Sequence, residues 1–471
     1  MEEFKIELKL KELQIQGFRP FEEKILLPFQ PDITVIVGNN ASGKTSILDV
    51  LANLLKAVPN MLNNNRLDQH VLLGAEDINY NIKPRESVSQ LSLIAAYPEV
   101  NFEEEEELIN QEEEISFELR LNPSQSVREQ KIRLTSSDED TANGDTALGD
   151  SYPIFQRAKA EKKKVSLPIL AYYAARRLDR AVDSQKGNIL NIDVFANFRN
   201  DELSQDSFDL ERLRSWLNYL EQRQLKQQYE TEEKEREEEV WKNIQQVVID
   251  FLSGNGVVYE GVETIYNTKY PNGTLAVKTN KGSRSIQQLS SGEKNILLLV
   301  IDIARQLVIA NPDATNPLQE GTGIVLIDEV DLHLHPAWQE QLFDKLKKCF
   351  PKLQFVVSTH SPHVVRHLKK ENLVIIEQEE DGPLLLQVGK KYIEERSVES
   401  ILAEVFKISL EGKHDTKVRD FYDLLAEGDL EKAKELLSEL EKFWGEDDQQ
   451  IKATTAAYDL EMKWLEDDEE E

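Results

Sequence analysis

Gly38-Asn39-Asn40-Ala41-Ser42-Gly43-Lys44-Thr45 constrains the chain more than any other stretch. It fits G-x-x-x-x-G-K-[ST] and lies between the apolar run Ile33 to Val37 and the helix-like Ser46 to Leu51. Strand, loop and helix thus follow in the order a phosphate-cradling loop requires. Backbone N–H groups of such a loop, with the helix N-terminus behind it, supply partial positive charge. Lys44 adds a full charge near the outer phosphates, and the Thr45 hydroxyl is placed to bind Mg²⁺. The plainer reading, a Gly-rich turn opening an ordinary helix, loses ground as further motifs accumulate downstream.

With 471 residues, 40% of them hydrophobic, the chain can bury a large core in two or three domains. No stretch approaches the roughly 18 continuous apolar residues of a spanning helix. The start, Met1-Glu2-Glu3-Phe4-Lys5, has neither a basic nor an apolar leader region, so a cytoplasmic chain without membrane contact is expected. Cys349 is the sole cysteine, which excludes an intrachain disulfide and a thiolate metal cluster; it reads as a small buried apolar residue. The charge, 56 basic against 87 acidic residues or −31 net, argues against a chain that coats nucleic acid by itself. Any DNA contact must be local. The acidity is concentrated in Glu103 to Glu107, Glu112 to Glu114, Glu230 to Glu239 and Glu466 to Glu471, runs that read as solvated faces or tails.

Phe4 to Ile15 alternates apolar and charged residues as a half-buried strand does, and Gly17 to Phe21 turns it into Lys24 to Phe29. Arg19 in that turn is either a phosphate contact or a surface arginine. Ile115 to Leu121 and Lys131 to Leu134 read as antiparallel strands, Ser136 to Asp150 as a flexible loop, and Leu167 to Tyr173 as another strand. Gln69 and Gln90 are the unranked choices for a metal-sensing glutamine. Arg176 and Arg177 either approach a phosphate or, on the plainer reading, form a surface basic pair. Phe208 to Phe251 is helical, apolar at both ends and polar in the middle, a short arm anchored at its base.

The second half supplies what the loop needs. Strands Val257 to Tyr266 and Thr274 to Lys278 precede Leu289-Ser290-Ser291-Gly292-Glu293-Lys294, and a strongly apolar helix runs from Asn295 to Ile309. Ser290, Ser291 and Gly292 at a helix start make a second anion site. Gly323 to Ile327 is a continuous apolar run of the buried parallel kind, ending in Asp328-Glu329 at the strand edge where nucleotides bind. Asp328 is suited to hold Mg²⁺ through water and Glu329 to polarise the attacking water. Gln354 to Ser358 is a third apolar strand; it delivers His360, as a donor to the terminal phosphate, to the same edge.

In order, these motifs resemble the ABC-type ATPase heads of the RecF, OLD and structural-maintenance-of-chromosomes group, from about Phe4 to Gln387. The resemblance implies an α/β fold, with a short helical arm inserted into the head and a small C-terminal helical domain. It implies ATP as substrate, Mg²⁺ as cofactor, and two heads that sandwich two nucleotides. Gly38 to Ser46, that is Gly38, Asn39, Asn40, Ala41, Ser42, Gly43, Lys44, Thr45 and Ser46, would bind nucleotide in one copy. Ser290, Ser291 and Gly292 would act on it from the other, with Asp331 lining the interface. Glu329, Lys44 and His360 carry the catalytic expectation, Thr45 and Asp328 the metal. The arm is far too short for a long coiled coil, a departure from the chromosome-tethering members. His333, His335, His360, His363 and His367 follow this ATPase pattern and lack the companions of a zinc site.

Glu329 to Pro336 and Ser358 to Pro362 look more particularly like the ATPase subunits of Septu-type and retron-associated anti-phage systems, which work with a separate HNH nuclease. That resemblance implies a homodimer or higher oligomer, an HNH-type nuclease partner, and DNA or a retron reverse transcriptase with its msDNA reached through the complex. The expected division is 1–204 for the N-terminal part of the head, 205–252 for the arm, 253–390 for the C-terminal part, and 391–471 for a helical docking or oligomerisation domain. The last is expected from the amphipathic runs Val418 to Leu425, Leu430 to Trp444 and Ile451 to Leu465. Two other readings compete: a RecF-like repair or loading ATPase, and an OLD-like nuclease. Val374 to Glu377 resembles the opening of that nuclease's Toprim domain, but Gln378 stands where glycine is expected and no Asp-x-Asp follows.

Overall fold

A computed structural model describes residues 3–59, 73, 75–79, 81, 86–101, 107–122, 132–135, 157, 160–161, 164–177, 208–225, 231–253, 257–271, 273–378, 384–391, 393–394, 396–407, 413–426, 428–445 and 448–469. Gln69, the loop Ser136 to Asp150 and the acidic residues Glu103 to Glu106 lie outside the described residues. Two compact units emerge, Met1–Ile401 and Leu402–Glu471.

In the first unit, β1 (Glu3–Lys5), β2 (Glu7–Gln16) and β3 (Ile25–Pro28) lead to β4 (Ile33–Gly38) and helix α1 (Lys44–Leu55). β5 (Ser87–Asn101), β6 (Glu107–Leu121), β7 (Ile132–Thr135), β8 (Lys164–Ser166) and β9 (Ile169–Tyr173) follow. The arm is α2 (Leu210–Leu225) and α3 (Thr231–Leu252). Beyond it come β10 (Tyr259–Ile265), β11 (Thr274–Thr279), β12 (Gly282–Ser285), α4 (Ser291–Ala310), β13 (Gly323–Ile327), α5 (Pro336–Cys349), β14 (Leu353–Thr359), β15 (Leu373–Gln378) and β16 (Leu384–Val388).

The central sheet has the order β16-β15-β4-β14-β13-β9, parallel except for β16. Helices cover both faces of such a sheet, so its strands carry no alternation: every residue of β4, β13 and β14 is buried. β2 belongs to the antiparallel sheet β3-β2-β5-β6-β7 and does alternate, burying Leu8, Leu10, Leu13 and Ile15. The Gln354 side chain joins the two sheets. Its amide donates to the carbonyls of Leu10 and Gln30 while its oxygen accepts from Leu10 N, so this buried polar group is satisfied on both sides.

The arm rests on the small sheet β10-β11-β12 through Gln245, which exchanges two hydrogen bonds with the Val262 backbone at 2.6 and 2.9 Å. Phe208, Leu213, Trp216, Leu217, Val240, Ile244, Val248 and Phe251 bury the arm's base. α4 is apolar around most of its circumference and is correspondingly buried. Among the described residues, no helix is long and apolar enough to cross a membrane.

The second unit contains α6 (Lys413–Ala426), α7 (Leu430–Trp444) and α8 (Gln449–Glu469). Two small cores hold it together, one of Phe421, Leu425, Ala433 and Leu437, the other of Val418, Leu440 and Ile451.

Candidate nucleotide site at the carboxyl edge of the sheet

Register brings the strand ends together. Ile327 pairs with Tyr173 on one side and Val357 on the other, Thr359 with Val37, and Ile376 with Gly38. The segments leaving β4, β9, β13 and β14 therefore share one edge, the place where open α/β sheets hold ligands.

The loop after β4 is shaped by close approach. A Cβ on Gly38 would lie 2.7 Å from Ser42 Oγ and 2.8 Å from the Ile376 carbonyl, and Gly43, at φ +98°, sits directly under Phe21. Lys44 is 6% exposed, and its Nζ donates to the carbonyls of Gly38 (3.0 Å) and Asn39 (2.8 Å). Burial pushes its pKa down to about 8 against the attraction of Asp328, Glu329 and Asp331. Asn39, Asn40, Ala41 and Thr45 are exposed, whereas Ser42 and Ser46 are buried. Arg19 is committed elsewhere: it pairs with Asp49 at 2.6 Å and Asp77 at 2.8 Å, tying the hairpin turn to α1.

At the end of β13, Asp328 is 2% exposed. Thr45 Oγ1 donates to its Oδ2 at 2.7 Å, and Ser358 Oγ donates to its other oxygen. The same Ser358 oxygen accepts from Glu329 N at 2.8 Å. Glu329 adopts φ +48°, a left-handed backbone rare for a residue with a Cβ. Burial, then Asp328 and Asp331, raise its carboxyl above the ordinary range. Asp331 accepts from Thr359 Oγ1 at 2.5 Å. His360, half-buried, has its pKa lowered by burial and by Lys44.

Thr45 and Asp328 fit a Mg²⁺ ion chemically. The hydroxyl that donates to the carboxylate keeps its oxygen lone pairs for a hard cation, and Asp328 supplies the negative charge.

The signature stretch opens α4. Ser290 caps the helix: its hydroxyl accepts from Glu293 N at 3.2 Å, and the Glu293 carboxylate accepts from Ser290 N at 2.7 Å. Ser290 and Ser291 are exposed, whereas Gly292 is buried where a Cβ would lie 2.4 Å from the His333 carbonyl. One turn on, Asn295 donates to the Leu332 carbonyl at 2.9 Å.

Arg177 corrects the sequence reading. Arg176 is exposed, but Arg177 is 1% exposed, so the two are not a surface pair. The guanidinium donates to Asn295 Oδ1 (2.8 Å) and to the carbonyls of Ala174 (3.2 Å), Asp328 (2.6 Å) and Glu329 (3.1 Å). Three peptide carbonyls facing one way can satisfy a guanidinium that composition alone would put in water. Ser358 and Thr359, two hydroxyls closing the strand, are the readable signal of groups that bind the acid-ended strand's Asp328 and Asp331. Gln90, the described candidate for a metal-sensing residue, lies within β5 opposite Gln14 and Glu118. Glu377, the residue behind the Toprim reading, accepts from Gln387 and Lys391, each at 2.6 Å, at the end of β15. Among the described residues no group of three or more His, Cys, Asp or Glu side chains is arranged to hold a metal ion.

A parallel sheet whose carboxyl edge gathers a phosphate loop, an acid-ended strand and a capped signature helix defines a P-loop ATPase head of the ABC type. The chain belongs to the family described as "AAA domain, putative AbiEii toxin, Type IV TA system", whose model matches residues 33–366. It is 29% identical over 415 residues to the Retron Vc95 probable ATPase of Vibrio cholerae serotype O1 biovar El Tor, covering 79% of this chain and 74% of that protein. With the Retron Ec83 probable ATPase of Escherichia coli it shares 26% identity, over 98% of this chain and 88% of the relative. A shorter match, 31% over 114 residues, links it to the Septu protein PtuA of Bacillus thuringiensis, over 24% of this chain and 29% of that one. Relatives of both kinds are what the motifs had led one to expect.

Proposed function

We propose that the chain binds ATP with Mg²⁺, hydrolyses it slowly in a site completed by a second copy, and thereby governs a separately encoded HNH-type nuclease in anti-phage defence. The observation that carries the hydrolytic part is the bonded set Thr45, Asp328 and Ser358, with Glu329 presented beside it. Lys44 exchanges the Gly38 and Asn39 carbonyls for phosphate oxygens. Thr45 and Asp328 would hold Mg²⁺, which offsets phosphate charge when bound. Glu329, with its raised proton affinity, takes a proton from the attacking water. His360, neutral near pH 7, donates to the terminal phosphate. Ser290, Ser291 and Gly292 of one copy complete the site of the other, and Asp331 lies at their interface.

Glu329→Gln should slow hydrolysis by about 10²- to 10⁴-fold, retain ATP, and accumulate dimers visible by light scattering. A wild-type hydrolysis rate in Ser290→Arg would sink the shared site. The nuclease partnership is supported by the retron-named and Septu-named relatives and by a helical unit that nucleotide chemistry does not use. It is tested by co-purification with the neighbouring gene product, comparing the full chain with one ending at Lys407. Such a cut keeps Ile393 and Ile401, both fully buried. Complete assembly by the shortened chain would remove the docking role of the C-terminal helices, and DNA cleavage by the isolated chain would overturn the division of labour.

A further inference from the structure

Arg177 lies just beyond β9, inside the protein, and among the described residues the four acceptors of its guanidinium are neutral: the Asn295 side chain and three peptide carbonyls. A cation taken out of water and given no directly bonded carboxylate is costly to keep, so packing alone does not account for it. Burial lowers its pKa only to about 10, and it is charged at pH 7. The longer-range attraction comes from Asp328, Glu329 and Asp331, the acidic residues of the nucleotide edge.

What the guanidinium grips is specific. Asp328 O and Glu329 O are the two carbonyls flanking the left-handed turn that presents the Glu329 side chain. Glu329 N is held from the other direction by Ser358 Oγ, so the peptide units on both sides of this strained residue are fixed. Through Asn295, which also binds the Leu332 carbonyl, the same guanidinium is tied to the first turns of α4. The Arg177 carbonyl in turn accepts from Phe208 N, the residue that opens the arm, and the Phe208 ring lies 5.8 Å from that of Tyr173. Acid pair and signature helix thus meet on one side chain, which among the described residues makes no hydrogen bond to the phosphate loop, while the arm base is held by the main chain of the same residue.

We propose that Arg177 is a positioning residue for ATP hydrolysis: it fixes the Glu329 backbone in its left-handed turn and locks that turn to the signature helix, while contributing nothing to nucleotide affinity. The inference rests on the hydrolytic role proposed above.

The test uses the full chain with Mg·ATP, reading affinity for a fluorescent ATP analogue, single-turnover hydrolysis, and thermal unfolding as a check on the fold. Arg177→Met, of similar volume but without donors, should slow hydrolysis by about 100-fold, as small misplacements of reacting groups do, with affinity unchanged within about threefold. Arg177→Lys, which restores the charge and part of the donor set, should fall between Met and wild type; a space-filling role would make Met the better substitute. Asn295→Ala keeps Arg177 and removes one of its acceptors, and should slow hydrolysis about tenfold at unchanged affinity. Should Arg177→Met not fold, Asn295→Ala decides, and a wild-type rate there overturns the inference. Arg177→Met at the wild-type rate, or losing affinity in step with rate, overturns it too. Wild-type protein without turnover would instead overturn the hydrolytic function itself, and this inference with it.

Discussion

In the first unit the interior holds Lys44, Lys56, Arg177, Asp302, Arg305 and Asp328; in the C-terminal helices the buried described residues are apolar except for Thr454, whose hydroxyl bonds to its own helix at Gln450 and Ile451. On the outside both units expose large apolar side chains, Leu26, Val258, Tyr266 and Leu385 on the first and three on the much shorter second. Tyr422, Phe443 and Leu460 are exposed on the helical unit, with Phe443 63% accessible. Buried charge costs several kcal/mol unless it is paired, so a fold keeps it where chemistry demands it. The first unit packs around placed charges, whereas the second packs around apolar side chains.

Lys44→Ala gives the largest effect and is the sharpest way to break that contrast. Loss of its charge-assisted bonds to two phosphates, each about 1.5–3 kcal/mol, should weaken ATP binding by about 100-fold or more while the fold survives. Calorimetry showing unchanged affinity would leave the buried charge of the first unit without a ligand to explain it.

Phe421→Ala comes next. Removing a fully buried ring from the helical core should cost that unit about 3–5 kcal/mol and leave ATP affinity untouched. Cys349 makes the experiment specific, because the only cysteine of the chain lies buried in the first unit, its thiol pushed up to about 12 by burial. A thiol reagent should therefore ignore Cys349 in this variant as in the wild type. Labelling that accelerates when the helical core is damaged would mean that the two units open together.

The smallest expected effect is that of Phe443→Ser. An exposed ring whose edge contact is to Trp444, 6.5 Å between centroids, contributes about 1 kcal/mol or less to stability, measurable in denaturant titrations. The same variant should lose partner capture if the exposed face is a docking surface. Normal capture would return Phe443 to the ordinary run of surface aromatics.

Where function is written in consecutive residues, the sequence was readable. Gly38 to Ser46 forms the end of β4, the loop and the first turn of α1, the all-apolar run Gly323 to Ile327 predicts a strand buried on both faces, and the amphipathic runs after Val418 predict helices. Arg177 was unreadable for a physical reason. Three of its four acceptors lie 118, 151 and 152 residues further along the chain, and the fourth, the Ala174 carbonyl, is a main-chain group, so no side chain beside it announces burial. Gly292 carries a second meaning for the same reason: within one copy it is required by the approach of the His333 carbonyl, a contact that no local pattern encodes. Ser358 and Thr359 show the intermediate case. Their strand was legible, but their bonds to Asp328 and Asp331 depend on register across the sheet.

The strand order has a consequence for how such a chain can change length. The groups that meet at the carboxyl edge come from residues 38–46, 177, 290–295, 328–333 and 358–360, and β4, β9, β13 and β14 fix their meeting point. Closing a flexible excursion costs only about 0.6 kcal/mol for each doubling of its length. The excursion between Phe208 and Leu289 is therefore a cassette: it can grow or shrink while the chemistry stays in register.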